Sequence, residues 1–307
     1  MQTPKRVILT GATGLIGKKL TRELTNRGYS VVVFSRNPDK ARQKLPGAAD
    51  YVAWHPGSAN WTSHIDGAHA IINLAGAGIF NHRWTQSYKQ KIMDSRLEGT
   101  RGLVEAIAKA KQKPAVLING SAVGYYGLTG PEKLDESSPP GDDFLARVAQ
   151  AWEREALKAE VLGVRVVTVR TGIVLARDEG ALPLMSLPFK LFVGGPVLPG
   201  SQYFSWVHID DEVGIILMAL ENEAASGPIN ASAPDPQTNR DFSSTLGKVL
   251  HRPSYFPVPG LMLNLLLGEV STIITGGQRV FPTRAQQLGY RFLHPTAHQA
   301  LTDILKK

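Results

Sequence analysis

A chain of 307 residues, 43% of them hydrophobic, has apolar material for one sheet-and-helix core and a smaller second unit. It contains no cysteine, which excludes disulfides, zinc-thiolate sites, iron–sulfur clusters and cysteine nucleophiles. The formal net charge of +8 is scattered along the chain without a basic, aromatic-interleaved patch, so nucleic acid is not an expected partner; the excess is read as solubility and attraction for an anionic cofactor.

The first strand, Val7-Ile8-Leu9-Thr10, comes too early for a signal peptide, and no apolar run has the length of a membrane span. The expectation is a soluble, cytoplasmic chain with no membrane partner. The strand opens through Gly11-Ala12-Thr13-Gly14-Leu15-Ile16-Gly17 into an amphipathic helix. A helix N-terminus offers unpaired N–H groups and the positive end of its dipole. Gly11 and Gly14 remove side chains that would hold a pyrophosphate away, and Gly17 lets helix and strand pack closely. Gly11, Thr13, Leu15 and Ile16 are therefore expected around a pyrophosphate.

A second apolar strand, Val31-Val32-Val33-Phe34, follows at the distance of a strand-helix-strand unit and ends in Ser35-Arg36-Asn37. An acidic residue there would accept from the ribose 2′-OH, whereas Arg36 would meet a 2′-phosphate. Ser35 and Arg36 thus favour NADP(H) over NAD. Asp39 could serve NAD from the next turn, although Pro38 marks it as the start of a helix.

Tyr51–Trp54 reads as a third strand and Ala70–Asn73 as a fourth, running into Leu74-Ala75-Gly76, where strand ends line a ligand crevice. Leu74 and Ala75 are expected on the adenosine side. A helical pattern over 86–111 turns Ile92, Leu97, Leu103, Val104 and Ile107 inward. A fifth strand, 115–121, empties into Ser121–Gly127. A helix over 143–162 and a strand over 165–170 complete a parallel series of six.

Gly/Pro-rich segments follow Thr171, alternation returns at Phe204–Asp211, and the chain from Asn239 looks mostly helical. The fold class is α/β, a doubly wound parallel (Rossmann) sheet with a smaller, mostly helical C-terminal substrate or cap region. Residues 1–175 form the cofactor-binding unit, 204–232 return to it, and 176–307 make the cap. The apolar run Leu261–Leu267 is too short to cross a bilayer and is read as a buried helix in preference to a membrane-surface one.

Four motifs in order carry a family resemblance: the Thr10–Gly17 glycine spacing, Asn73-Leu74-Ala75-Gly76, Ser121–Gly127, and Trp206–Asp211. With them the chain resembles the extended short-chain dehydrogenase/reductases, the group containing sugar-nucleotide epimerases and dehydratases. Arg83-Trp84-Thr85, Gly124-Tyr125-Tyr126-Gly127, Leu191–Gly200, and Gly276-Gly277-Gln278-Arg279 followed by Pro282 narrow it to the epimerase-like branch of the SDR39U1 type, with a C-terminal DUF1731-like domain. The resemblance implies an NADP-type cofactor, with Ile173 at the nicotinamide, and a small-molecule substrate.

The chemistry implied by the wider family uses a Tyr and a Lys four residues later, with a Ser orienting the substrate oxygen. This chain lacks the pair: the positions fall near Phe144 or Leu145 and Val148 or Ala149, none of which carries a proton. The family's active-site Asn corresponds to Arg96, which is expected against the cofactor or an anionic ligand. Ser121 matches the family serine one residue out of its usual spacing. Tyr125 and Tyr126 are the remaining phenols, either structural or, with a cation such as Arg96 lowering a pKa, catalytic. His208, Asp210 and Asp211 are read as ordering the substrate-side loops, with an aspartate capping the next helix and no metal site.

The resulting reading is an NADP(H)-dependent oxidoreductase or epimerase-like enzyme acting on a small molecule, with an anionic one accommodated, as a monomer or homodimer. The alternative is a catalytically weak NADP(H)-binding redox sensor. Relatives of this branch have been labelled cell-division inhibitors, which links that alternative to cell division.

Overall fold

The computed structural model describes residues 4–55 and 57–306, so Met1–Thr3, Pro56 and Lys307 of the expected units lie outside the described residues. In chain order the first half contains β1 (Arg6–Thr10), α1 (Leu15–Asn26), β2 (Ser30–Ser35), α2 (Pro38–Lys44), β3 (Asp50–Ala53), β4 (Ala70–Asn73), α3 (Gln86–Lys109), β5 (Val116–Ala122), β6 (Lys133–Leu134) and α4 (Phe144–Leu157). The second half contains β7 (Arg165–Thr171), β8 (Ile173–Leu175), α5 (Ala181–Lys190), β9 (Tyr203–Phe204), β10 (Trp206–His208), α6 (Ile209–Glu221), β11 (Gly227–Ala231), β12 (Gln237–Thr238) and α7 (Asn239–Leu250). It ends with α8 (Gly260–Leu267), α9 (Thr272–Thr275), β13 (Arg279–Val280), α10 (Thr283–Gln287) and α11 (Ala297–Lys306).

Seven parallel strands make the main sheet, in the order β11-β7-β5-β4-β1-β2-β3. The chain runs outward one way from β1 and the other way from β4, so the strand order reverses between them. That switch point is where an open α/β sheet has its ligand crevice. Alternation along each strand feeds both faces. Val7, Leu9 and Ile72 pack with Leu20 and Leu24 of α1 and Ile215 and Ile216 of α6, whereas Ile8, Ile71 and Leu117 pack with Leu103 and Ile107 of α3.

Several expectations are corrected. Six strands are expected and seven are present; the extra one, β11, carries Pro228, which an edge strand tolerates because one side of its backbone needs no partner. Trp206–His208 pairs with β8 in a separate two-stranded ribbon and does not join the main sheet. The helix expected over 143–162 ends at Leu157, followed by a short 3₁₀ turn over Glu160–Leu162. Leu97 is half-buried, not core. The run Leu261–Leu267 is helical but not buried: no residue of α8 is enclosed, and Leu261 is 73% exposed.

The turn from β1 into α1 is compressed. A Cβ on Gly17 would stand 2.3 Å from the Gly11 carbonyl oxygen and 2.6 Å from the Ala12 Cα, both backbone atoms that cannot swing aside. Gly17→Val is therefore expected to push α1 off the turn and destabilise the protein by on the order of 1–3 kcal/mol, read as a lower urea midpoint. An unchanged midpoint would mean that α1 shifts freely.

Candidate cofactor and substrate site

The crevice begins with close main-chain contact. Gly11 has φ of +70°, and a Cβ there would lie 2.7 Å from the Leu74 carbonyl carbon and oxygen. The Gly14 N–H is spent on the Gly11 carbonyl (3.0 Å), and the first helical bond runs from the Lys18 N–H to the Gly14 carbonyl (3.0 Å). Gly14 supplies no side-chain cap to α1. The N–H groups of Leu15, Ile16 and Gly17 are thus the donors of an open helix start, beside a half-buried Thr13. A pyrophosphate fits this cradle: donors and dipole face it, and the two glycines keep the approach clear.

Behind the cradle lies a buried polar network that sequence reasoning missed. Thr10 Oγ1 donates to Asn73 Oδ1 (2.6 Å) and accepts from the Ala75 N–H (3.2 Å). Asn73 Nδ2 donates to Thr100 Oγ1 (2.9 Å) and to Asn119 Oδ1 (2.7 Å), and Trp152 Nε1 also donates to Thr100 Oγ1 (2.9 Å). These bonds join β1, β4, β5, α3 and α4 at the carboxyl edge of the sheet. A polar residue closing each of three apolar runs, Thr10, Asn73 and Asn119, was the signal that could have revealed it.

Register sets Phe34 opposite Thr10, so Ser35 and Arg36 emerge beside the Gly11 turn. The Asn37 N–H donates to Ser35 Oγ (3.2 Å), and Asn37 Oδ1 caps α2 by accepting from the Lys40 N–H (2.9 Å). Asp39 lies in the first turn of α2, on the exposed side. Arg36 is exposed and, among the described residues, makes no ion pair.

Arg96 is held over the β4 loop. Its Nη1 donates to the Ala77 (3.1 Å) and Ile92 (3.0 Å) carbonyls, and its guanidinium lies 5.0 Å from the Trp152 ring centroid. A Cβ on Gly76 would come within 2.9 Å of the Arg96 Cζ, so that glycine makes room for the cation. Among the described residues no carboxylate pairs with Arg96, and burial lowers its pKa to about 10. A desolvated cation bonded only to carbonyls and facing the crevice loop favours an anionic ligand.

The proton-carrying candidates separate sharply. Ser121 is buried, its hydroxyl donating to Glu153 Oε1 (2.6 Å). Glu153 is held by Arg170 through two 2.9 Å bonds, from Nε and from Nη2. Burial opposes the charge on Arg170, but the Glu153 carboxylate more than offsets it and raises the arginine's pKa. Tyr126 is fully enclosed, donating to Asn230 Oδ1 (2.7 Å) and accepting from Arg170 Nη1 (2.9 Å), and burial pushes its phenol up to about 12. Tyr125 is half-buried, with the Arg170 guanidinium stacked 3.4 Å from its ring centroid. Ala122, next to Ser121, is the exposed residue at the end of β5.

The positions of the family pair are apolar. Phe144 packs edge-on against Trp84, Val148 is buried with Trp84 and Ile92, and Leu145 stands 3.3 Å from where a Gly124 Cβ would be. Ile173 is half-buried, its N–H donating to the Ser205 carbonyl (2.9 Å).

The expected aspartate cap on α6 is replaced. His208 Nδ1 accepts from the Asp210 N–H (3.1 Å), while Asp211 turns away and accepts from the Leu293 (2.7 Å) and His294 (3.0 Å) N–H groups and the Tyr290 hydroxyl (3.1 Å). Donor atoms of His208, His294 and Asp303 lie within 4.8 Å of one another, a grouping that sequence separation concealed. Because His208 Nδ1 accepts a hydrogen bond, the neutral ring carries its proton on Nε2, 3.5 Å from Asp303 Oδ2. That tautomer suits a histidine–carboxylate pair and opposes metal ligation through Nε2.

Residues 7–231 match the NAD dependent epimerase/dehydratase family, and residues 258–304 match a domain of unknown function, DUF1731. The chain is 41% identical to the epimerase family protein SDR39U1 homolog, chloroplastic, of Arabidopsis thaliana, over 98% of this chain and 86% of that protein. It is 40% identical to the epimerase family protein YfhF of Bacillus subtilis (strain 168), over 97% of each. Among solved structures it is similar to human epimerase family protein SDR39U1 (isoform2) with NADPH, at 35% identity and a TM-score of 0.87, over 98% of this chain and 99% of that one.

Glu212, at the start of α6, touches the end of β7: its Oε1 accepts from Thr171 Oγ1 (2.8 Å), and its fully buried Oε2 has no hydrogen-bond partner among the described residues. Burial pushes its carboxyl pKa up to about 8. A folded-state pKa above the unfolded value means that the folded protein binds the extra proton. Stability from this group is therefore full below the unfolded pKa and is lost as pH rises toward 8, by up to about 1.4 kcal/mol per pH unit. Urea unfolding across that window should show this slope in the parent protein and lose it in Glu212→Gln. An identical slope in both would assign it to another group.

Proposed function

The chain belongs to the NAD dependent epimerase/dehydratase family, and on that premise we propose that it is an NADP(H)-dependent oxidoreductase or epimerase-like enzyme acting on a small, anionic molecule. The observation that carries the reading is the likeness, over nearly the whole chain, to a human protein crystallised with NADPH. The glycine cradle and the exposed Arg36 support it from this chain's own residues.

In this reading Gly11, Thr13, Gly14, Leu15, Ile16 and Gly17 surround the pyrophosphate, and Ser35 and Arg36 bind the 2′-phosphate. Leu74 and Ala75 flank the adenosine side, and Ile173 flanks the nicotinamide. Bound NADP(H) supplies a hydride acceptor or donor. Arg96 contributes positive charge toward the cofactor or an anionic substrate. Tyr125 is the phenol assigned to proton transfer, since the Tyr126 hydroxyl is committed to Asn230 and Arg170. Ser121, bonded to Glu153, positions that wall of the site. Residues 1–175 with 204–232 serve as the cofactor unit and 176–307 as the cap, in a cytoplasmic monomer or homodimer.

The second reading is a redox sensor with little turnover. It is favoured by the apolar Phe144, Leu145, Val148 and Ala149 where the family's proton-carrying pair stands.

Calorimetric titration should show NADPH binding at least about tenfold tighter than NADH, a difference of about 1.4 kcal/mol, and Arg36→Ala should remove most of it. Equal affinities in the parent protein would reject the 2′-phosphate assignment. In a carbonyl screen, Tyr125→Phe is expected to lower kcat by about a hundredfold or more while leaving NADPH affinity unchanged. Unaltered turnover would remove Tyr125 from the chemistry, and tight NADPH binding without any hydride transfer would select the sensor.

A further inference from the structure

Helix α8 was expected inside the protein and lies outside it. Leu261 (73% exposed) and Leu265 (71%) lie on one side at the i, i+4 spacing, and Leu266 (63%), about a quarter turn on from Leu265, widens the exposed apolar surface. The helix is fastened at its C-terminal end, where Arg83 Nη2 donates to the Leu265 and Leu266 carbonyls, each at 2.8 Å. Alongside, the chain around 194–198 is bonded to 256–258 through Phe256 N–H to Gly194 O (3.2 Å), Val258 N–H to Pro196 O (2.9 Å) and Leu198 N–H to Val258 O (3.0 Å). Phe256, with Phe192 and Tyr255 in the residues that lead into those two segments, is exposed. An exposed apolar surface of this extent marks an interaction site.

Charge distinguishes what covers it. Within residues 184–200 and 245–268 the charged side chains are Lys190, Lys248 and Arg252, with no Asp or Glu. The Arg252 guanidinium lies 4.4 Å from the centroid of the Phe192 ring, which places a cation within the apolar surface itself. Acidic groups at the margins are already engaged: Glu269 pairs with Lys89, and Asp241 accepts from Thr238. A second copy seated symmetrically on this face would bring together two surfaces that both carry cations and offer no carboxylate to pair with them. An anionic bilayer surface accepts both features, taking apolar side chains into the headgroup boundary and cations onto its negative charge. No helix among the described residues is long and apolar enough to cross a membrane, so the contact would be peripheral.

We propose that α8 and the adjoining 191–198 and 252–258 segments dock this protein on an anionic membrane surface, with Leu261, Leu265 and Leu266 entering the interface and Lys190, Lys248 and Arg252 meeting the lipid headgroups. The test is co-sedimentation of the full chain with phosphatidylcholine vesicles, with and without phosphatidylglycerol. The expected result is binding at least about tenfold stronger to the anionic vesicles and weakened by salt. The double variant Leu261→Ser/Leu265→Ser should lose at least about tenfold. Lys190→Glu/Arg252→Glu should lose the preference for phosphatidylglycerol, with unchanged circular dichroism and melting temperature confirming that both variants fold. Failure of the parent protein to bind anionic vesicles would overturn the proposal. So would binding that both variants retain. A dimer that Leu261→Ser/Leu265→Ser dissociates, without vesicle binding, would assign the face to a second copy.

Discussion

Two pieces of main chain, at Gly11 and at Leu74–Ala75, approach so closely that no side chain fits between them. Much of the site follows from that contact. It brings the ends of β1 and β4 together at the point where strand order reverses, and the Thr10 hydroxyl bridges them by bonding Asn73 and the Ala75 N–H. With the turn fixed, α1 must start at Leu15, its first N–H groups facing across the crevice. The glycines therefore act twice, keeping the helix start free of side chains and letting the frame that presents the donors close up.

Across the crevice, charge lies inside the wall. The family's proton-carrying positions are filled by apolar residues packed on Trp84 and Gly124, while Glu153 and Arg170 form a buried pair one layer behind. Removing two ions from water is costly, and such a pair persists only when its remaining hydrogen-bonding capacity is met. Here Ser121 and Tyr126 meet it, and the Tyr125 ring lies against the guanidinium face. Tyr125 is thereby oriented by a cation without being bonded to it, and it is the phenol of the pair that remains partly accessible.

The parallel sheet was legible because its inner strands are short apolar runs ending in small or polar residues, and the glycine spacing located the crevice. Edge strand β11 was not, since Gly227 and Pro228 mask a segment that needs a partner on one side alone. The His208 cap was hidden because histidine is an uncommon helix cap, and aspartates adjacent in sequence looked better suited. The Tyr125–Tyr126 pair shows a sharper limit: neighbours in sequence and alike in type, they are separated by environment, one enclosed and one half-open. For α8, composition argued for burial, whereas the fold packs Leu267 against the Trp84 cluster and leaves Leu261, Leu265 and Leu266 exposed.

The C-terminal region closes hydrogen bonds that begin in β11, in α6 and in the loops that follow β6 and β9. Glu136 accepts from the Arg284 N–H as well as from Asn230, Asn230 Nδ2 donates to the Phe281 carbonyl, and Ser205 bonds the Gln278 carbonyl and the Val280 N–H. Asp211 takes the Leu293 and His294 N–H groups. The last stretch of chain thus behaves as a ligand tethered to its own receptor, held at a high effective concentration by the peptide that joins them. Cut away, it would take the Arg284 N–H from Glu136, which would keep the Asn230 N–H, and from Asp211 the Leu293 and His294 N–H groups with the Tyr290 hydroxyl.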